Sequence, residues 1–350
     1  MMNSIQYCCP ICSDLLKKDA QTFSCQNCDK SWPIKEDIPC FAELKAHWDF
    51  ESFSQKELDE LLHKAESMDW ESFRLDYFQQ RFPRWFKYFF DQSRADGVFL
   101  APLSRKSRVL DLGCGWGSLS RPLSRRFDEV ISVDNIFGRL KWLSIACRKE
   151  GIDNVQPVLA NVSGLPFPRS YFDLILMNGL LEWVGTESSL GRPYQAQKKV
   201  LSNMSAMLKQ RGYLYIGVEN RFGYQYFLGD LDHSGLRFTS LMPRSIADLW
   251  SMIMTKRKYR TYTYSYKGYQ RLLKEAGFDE IKFYCPLTGY HYPRWIFPFE
   301  DADTLRYFLN NIGSLSSRQK IILFFGLKLL LLSGLYKYFM PSFIILCRKK

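Results

Sequence analysis

The chain has 350 residues, 46% of them hydrophobic, and a formal net charge of +12 at pH 7. That length allows about two domains and a sizeable core, which excludes a disulfide-stapled miniature fold. The charge points to an anionic partner: RNA, a phosphorylated lipid or a membrane surface. No apolar stretch follows the start, so no secretory signal is expected, and the ten cysteines suit a reducing, cytosolic compartment.

Four cysteines fall in two knuckles, Cys9-Pro10-Ile11-Cys12 and Cys25-Gln26-Asn27-Cys28. A Cys-x-x-Cys turn aims both sulfurs at one metal, and two such turns complete a tetrahedron around Zn2+. Cys8 adjoins Cys9 and competes for the same role, but Cys9 has the better spacing; a redox pair is the other reading. A domain of this size, residues 1–42, has too small a core to stand alone, so the zinc would be structural. With Trp32-Pro33-Ile34 through Ile38-Pro39 following, residues 7–42 resemble the zinc ribbon that precedes some bacterial rRNA guanine methyltransferases and occurs in methyltransferase-activator proteins. The resemblance implies a structural or substrate-recognising ribbon. A closed four-thiolate site, with no position open to water, agrees.

Residues 43–100 form a helical, aromatic-rich linker or lid. Within it, 43–66 is charged and reads as a linker helix with an apolar stripe of Leu58, Leu61 and Leu62. From 70 to 100 rings crowd together, among them Trp70, Phe73, Phe78, Trp85, Phe89 and Phe99. Spacings of three and four favour helices that bury those rings at a sheet edge. A lid over a cofactor, or an aromatic acceptor pocket, is the alternative.

An apolar run then meets an acid and three alternate glycines in Val109-Leu110-Asp111-Leu112-Gly113-Cys114-Gly115-Trp116-Gly117. This predicts a buried strand ending in a loop where a nucleoside cofactor touches bare backbone, because glycine permits positive φ and carries no Cβ. A helix is expected to start near Trp116 with its N-terminus towards the ligand. One β-α unit later, Glu129 to Asp134 ends in an acid placed to accept both hydroxyls of a ribose. Strands near 108–112, 129–133, 155–159, 172–177 and 213–218 alternate with helices at 117–126, 138–150 and 195–209. That alternation predicts a parallel sheet covered on both faces, with 279–285 and 342–348 as its last strands.

Together with Leu165-Pro166-Phe167-Pro168 and the run from Tyr171 to Asn178, these residues resemble the class I S-adenosylmethionine-dependent methyltransferases, in particular the type 11 group. A Rossmann dinucleotide enzyme is the competing reading. The resemblance implies an α/β, Rossmann-like, seven-stranded methyltransferase sheet over 101–350. It would be mostly parallel, in the order 3-2-1-4-5-7-6 with the seventh strand antiparallel. S-adenosylmethionine is the implied donor. Asp111, Gly113, Cys114, Gly115 and Gly117 are then assigned to its methionine moiety and Asp134 to its ribose. Asn161, with Val162, takes the adenine end, where the family usually has Asp; an Asn side chain can still accept a hydrogen bond. Asn178 ends the fourth strand beside the reactive methyl group.

Open α/β sheets bind ligands beyond the carboxyl ends of their strands. Leu181, Glu182 and Trp183 follow strand four, Glu219-Asn220-Arg221 follows strand five, and an insertion at about 220–267 carries Asp230, Asp232 and His233. Methyl transfer from a sulfonium is an in-line displacement that needs alignment and, for some acceptors, a base. His233 is the first candidate for that base. Asp232 orients it or replaces it, while Glu219 and Arg221 bind acceptor hydroxyls or anionic groups. Loop caps and a buried ion pair are the plainer readings of the same residues. The stretch from Asn220 to Gly235, with Thr261 to Ser265, is similar to uncharacterised bacterial methyltransferases that accompany glycan and surface-polysaccharide assembly enzymes. That similarity implies a hydroxyl of a sugar or lipid-linked glycan as acceptor.

Between Lys256 and Lys274, seven basic residues interleave with five tyrosines and no acid. The pattern suits single-stranded RNA, a phosphate-bearing lipid carrier, or a solvated loop. An apolar segment at about 319–338 reads as a buried covering helix or as one lying on a membrane interface. A span is disfavoured, since it would carry the last strand across the bilayer. The sequence therefore predicts a cytosolic enzyme, peripheral at the inner membrane face if that helix lies on lipid. Methylation of rRNA or tRNA bases is the second reading. A scaffold that keeps the cofactor fold and binds a partner through the ribbon is the non-enzyme one.

Overall fold

The computed structural model describes residues 5–44, 53–186, 191–287, 289–311 and 334–350, the last four before the final gap as backbone only. They fall into two compact units, Met1–Met177 with Ala206–Leu214, and Asn178–Ser205 with Tyr215–Lys350.

The first unit opens with four short antiparallel strands in sequential order: β1 (Lys17–Lys18), β2 (Thr22–Ser24), β3 (Ser31–Lys35) and β4 (Ile38–Pro39). So small a sheet encloses little, and it gains its core by docking. Phe41 N donates to Leu159 O at 2.7 Å and Cys8 N to Pro166 O at 2.9 Å. Ile38 and Cys40 share one apolar cluster with Cys114, Leu140, Leu143 and Leu159. The ribbon is thus built onto the outermost strand of the main sheet.

That sheet contains β5 (Arg108–Leu112), β6 (Glu129–Asp134), β7 (Val155–Leu159), β8 (Phe172–Asn178) and the first half of β9 (Leu208–Glu219). Neighbours run β7-β6-β5-β8-β9, and the pairs β5–β6, β6–β7 and β5–β8 are parallel. Strands buried on both faces must be apolar throughout, and Val109, Leu110, Val130, Ile131, Leu174 and Ile175 are fully buried. Helix Phe137–Lys149 forms as expected. The helix expected from 117 is only Ser120–Ser124. Gly113, Gly115 and Gly117 have φ of 72°, 54° and 72°, and this left-handed backbone keeps the chain in turns up to Leu119. No helix N-terminus stands at Trp116; its indole instead stacks on Phe89 with ring centroids 4.5 Å apart.

Leu58, Leu61 and Leu62 are the buried stripe of helix Gln55–Ser67, whose start is fixed by a Ser54–Glu57 capping box. The aromatic segment forms a second core, in which Phe53, Phe73, Phe78, Phe82 and Phe89 pack with Trp116 and Trp142. Those rings are buried, so they form the helical core that their spacing favoured and stabilise the first unit, rather than building the alternative lid or pocket.

In the second unit neighbours run β9-β12-β10-β11, with β10 (Phe278–Leu287), β11 (Trp295–Pro298) and β12 (Ser342–Lys349). β10 is antiparallel to both β11 and β12. Numbered without the ribbon and without the unexpected edge strand β11, the strands follow 3-2-1-4-5 in the first unit and 5-7-6 in the second, the order the resemblance implied. Of the tyrosines after Lys256, Tyr259 and Tyr269 are buried, and the Arg244 guanidinium sits over Tyr262 at 4.0 Å. These two buried rings cannot stack on bases, which leaves the half-buried Tyr262, Tyr264 and Tyr266 as the rings of the expected RNA platform. Most of the apolar segment at about 319–338 lies outside the described residues. Among the described residues no helix is long and apolar enough to cross a membrane.

Candidate active site

In the first unit, β5 and β6 end side by side and their acids organise the glycine loop. Asp134 receives Gly115 N on Oδ2 at 2.9 Å and Ile136 N on Oδ1 at 3.0 Å. Gly113 N and Cys114 N both donate to Val133 O. Asp111 is almost fully buried and accepts from Ser120 Oγ at 2.6 Å. Burial raises its carboxyl to about 6, against the opposing Ser120 hydrogen bond and Arg94 charge, while the Asp134 charge adds to the rise. A Cβ on Gly117 would meet Leu143 Cδ1 at 2.3 Å, whereas one on Gly115 would have nothing within 4 Å. Gly117 therefore serves helix packing, and Gly115 leaves open backbone, the kind of surface a ligand can approach. The Cys114 side chain is buried among the ribbon-side apolar residues, so only its backbone can serve a ligand. Asn161 is exposed and Val162 half-buried, with the Asn161 carbonyl accepting from Gly164 N at 3.0 Å.

Cys9, Cys12, Cys25 and Cys28 place their sulfurs within 4.8 Å of one another. Cys9–Cys28 and Cys12–Cys25 are 3.5 and 3.4 Å apart. Four thiolates at about 2.3 Å from one Zn2+ in a tetrahedron lie about 3.8 Å apart, close to these spacings. The N–H groups of Ile11 and Cys12 point at Cys9 Sγ, both at 3.4 Å, as a metal-binding knuckle requires. Cys8 is excluded from the cluster and pairs with Leu15 in an isolated bridge.

In the second unit a different cluster forms. Glu182 lies in the short turn Leu181–Trp183, Glu219 ends β9, and His233 comes from the insertion. His233 Nε2 is 3.0 Å from Glu219 Oε2 and 3.8 Å from Glu182 Oε1. Tyr290 OH donates to Glu219 Oε1 at 2.9 Å, and His291 Nε2 is 3.9 Å from the same oxygen. Buried Gln197 fixes the turn by donating to Leu181 O at 2.8 Å. Gly217 makes room, since a Cβ there would meet Asn178 Oδ1 at 1.9 Å and Tyr290 Cδ2 at 2.7 Å. Asn178 is buried, and neither atom of its amide has a hydrogen-bond partner.

Burial works against the His233 charge, but Glu219, then Glu182 and Asp232, outweigh it and hold the imidazole up at about 9. Glu219 moves down despite burial, because His233 and His291 face it. Burial, and then the Glu219 charge, push Glu182 up to about 8. With no metal ion beside them, the two glutamates thus favour the imidazolium form of His233 over a free base. Asp232 does not orient it: Oδ1 of Asp232 takes Ser234 N at 2.8 Å and Ser234 Oγ at 2.5 Å, closing a local turn. Arg221 ties the insertion down through Ser240 O at 2.7 Å and Met242 O at 2.6 Å, leaving its guanidinium engaged. Sequence reasoning missed Tyr290 and His291. Their only signal was a histidine in a chain with four, and the β10–β11 turn that presents them was not foreseen.

Residues 110–216 match the family model Methyltransf_11, described as a methyltransferase domain. The 23S rRNA (uracil(1939)-C(5))-methyltransferase RlmD of Aeromonas salmonicida is 34% identical over 90 residues, 23% of this chain and 20% of that protein. The ubiquinone/menaquinone biosynthesis C-methyltransferase UbiE of Pectobacterium atrosepticum is 35% identical over 121 residues, 32% of this chain and 48% of that protein. The sphingolipid C9-methyltransferase B of Emericella nidulans is 29% identical over 133 residues, 37% of this chain and 24% of that protein. The chain spans at most about half the length of these curated relatives.

Proposed function

We propose that the chain is an S-adenosylmethionine-dependent methyltransferase acting on a hydroxyl of a lipid-linked glycan or sugar intermediate at a membrane surface. The observation that carries the donor half is the glycine loop latched by Asp134, with Gly115 at positive φ and free space above it. Asp111, Gly113, Cys114 and Gly115 would hold the methionine end, Asp134 the ribose, and Asn161 and Val162 the adenine. When bound, the donor supplies a sulfonium-activated methyl group for in-line transfer. Glu182, Glu219, His233 and Tyr290 supply the hydrogen-bonding groups that hold and align a hydroxyl. The four-cysteine cluster would hold structural Zn2+, stiffening the ribbon that packs on Cys114 and Leu159.

Support for a lipid-borne acceptor comes from helix Arg244–Thr255 in the insertion. Ala247 and Ser251 face inward, while Ile246, Leu249, Trp250, Ile253 and Met254 are exposed, Leu249 by 63%. Lys256, Arg257 and Lys258 follow, all exposed. An apolar stripe ending in basic residues suits an anionic lipid surface. One of the relatives above is named for a sphingolipid substrate.

Titration with S-adenosylhomocysteine tests the donor half: micromolar binding to the wild type, lost in Asp134→Ala without loss of fold, is expected. Absence of binding would favour the scaffold reading. A second reading, methylation of an RNA base, draws on the net charge and the RlmD match. It demands RNA affinity that falls steeply with salt, as counterions are released.

A further inference from the structure

We infer that Glu182, Glu219 and His233 form a binding site for one divalent transition-metal ion, separate from the four-cysteine cluster. One ligand atom from each of the three lies within 4.8 Å of the others. The Glu182 side chain is completely buried, and its Oε2 has no hydrogen-bond partner. Its Oε1 takes a long contact from Tyr290 OH, 3.5 Å, with the His233 ring at 3.8 Å, and the carboxyl lies beside the Glu219 side chain and its own backbone N–H. A carboxyl buried in that state either keeps its proton or needs a cation beside it, and a metal ion that takes the place of the His233 proton supplies one to both glutamates. Among the described residues no lysine or arginine pairs with Glu182 or Glu219.

The His233–Glu219 contact carries the same message. Nε2 and Oε2 approach to 3.0 Å, yet neither has a hydrogen bond of proper direction. Two atoms that face a common centre, rather than each other, have this geometry. Neighbouring ligands of a six-coordinate ion with bonds of about 2.1 Å lie about 3.0 Å apart. Tyr290 OH donates to Glu219 Oε1, the outer hydrogen bond that orients a ligating carboxylate. His291, 3.9 Å from Glu219, is within reach as a fourth donor.

Mixed nitrogen and oxygen donors favour Mn2+, Fe2+, Co2+ or Zn2+ over Ca2+ and Mg2+, which prefer oxygen alone. Three protein ligands leave positions open. The use of the site rests on the methyltransferase reading: hydroxyl oxygens of the acceptor complete the coordination, and the ion acts as a Lewis acid that aligns them and makes the hydroxyl more acidic. The site itself does not depend on that reading.

The test is titration of the zinc-loaded protein with MnCl2, following free Mn2+ by electron paramagnetic resonance; thiolates already filled with zinc do not compete for Mn2+. One Mn2+ per chain is expected for the wild type. Glu182→Gln and Glu219→Gln should each weaken binding by at least the roughly 100-fold that loss of an outer-shell partner can cost. Both replacements are isosteric, and S-adenosylhomocysteine affinity and thermal midpoint report whether each variant is folded. No Mn2+ retained by the wild type, or undiminished retention by both folded variants, overturns the site. If Mn2+ binds as expected but S-adenosylhomocysteine does not, the site stands and the enzyme reading fails.

Discussion

Replacing Asp111 by Asn should stabilise the protein while weakening donor binding. Asp111 is 2% exposed, and its carboxyl is raised from 3.8 to about 6, chiefly by burial. An acid whose folded pKa lies above its unfolded value adds stability below the unfolded pKa, and that stability is lost as pH rises through the folded one. Keeping it ionised at pH 8 therefore costs about 3 kcal/mol, at 1.36 kcal/mol per pKa unit. Near pH 4.5, where both states are partly protonated, the cost falls to about 1 kcal/mol. Asn retains an oxygen to accept from Ser120 Oγ and removes the charge. Urea unfolding of wild type and Asp111→Asn between pH 4.5 and 8 should show the variant gaining stability as pH rises. A difference independent of pH, or a variant less stable at pH 8, would refute the argument. The same variant should bind S-adenosylhomocysteine more weakly, the trade-off expected where a site residue is held at a cost to stability.

Other substitutions separate packing from binding. Gly117→Ala should cost about 1–3 kcal/mol in urea unfolding, from the clash with Leu143 added to the positive φ. Gly115→Ala meets no neighbour, so its loss should be about 1 kcal/mol, with donor affinity falling further than stability explains. Phe89→Ala, which empties the centre of the aromatic core, should cost about 3–5 kcal/mol; a loss under about 1 kcal/mol would mean those rings are dispensable. Chelation of zinc should unfold the ribbon, seen in near-ultraviolet circular dichroism, and lower donor affinity through Ile38 and Cys40, which pack with Cys114. The double variant Leu249→Ser, Ile253→Ser should leave the thermal midpoint unchanged and abolish co-sedimentation with anionic vesicles. Unchanged sedimentation would remove the membrane surface from the proposal.

Local chemistry was readable from the chain alone. Continuous apolar runs between turn signals placed β5 to β8 nearly to the residue, because strands buried on both faces admit little else. Two Cys-x-x-Cys pairs specified the thiolate cluster, and alternate glycines after Asp111 specified a left-handed loop. All of these depend on residues close together in the sequence.

What depended on distant partners was decided only by the fold. The spacing of the aromatic segment favours a core but does not say what it packs on, which Trp116 and Trp142 decide. His233 has an ordinary imidazole in isolation; Glu182, 51 positions before it, and Glu219 turn it into a held cation. Tyr290 reaches Glu219 across 71 positions, a pairing that no local pattern records. The sequence determined which segments become strands and loops, since backbone preference and burial act over a few residues. The tertiary structure decided which charges meet, because electrostatic environment is set by whatever is nearest in space.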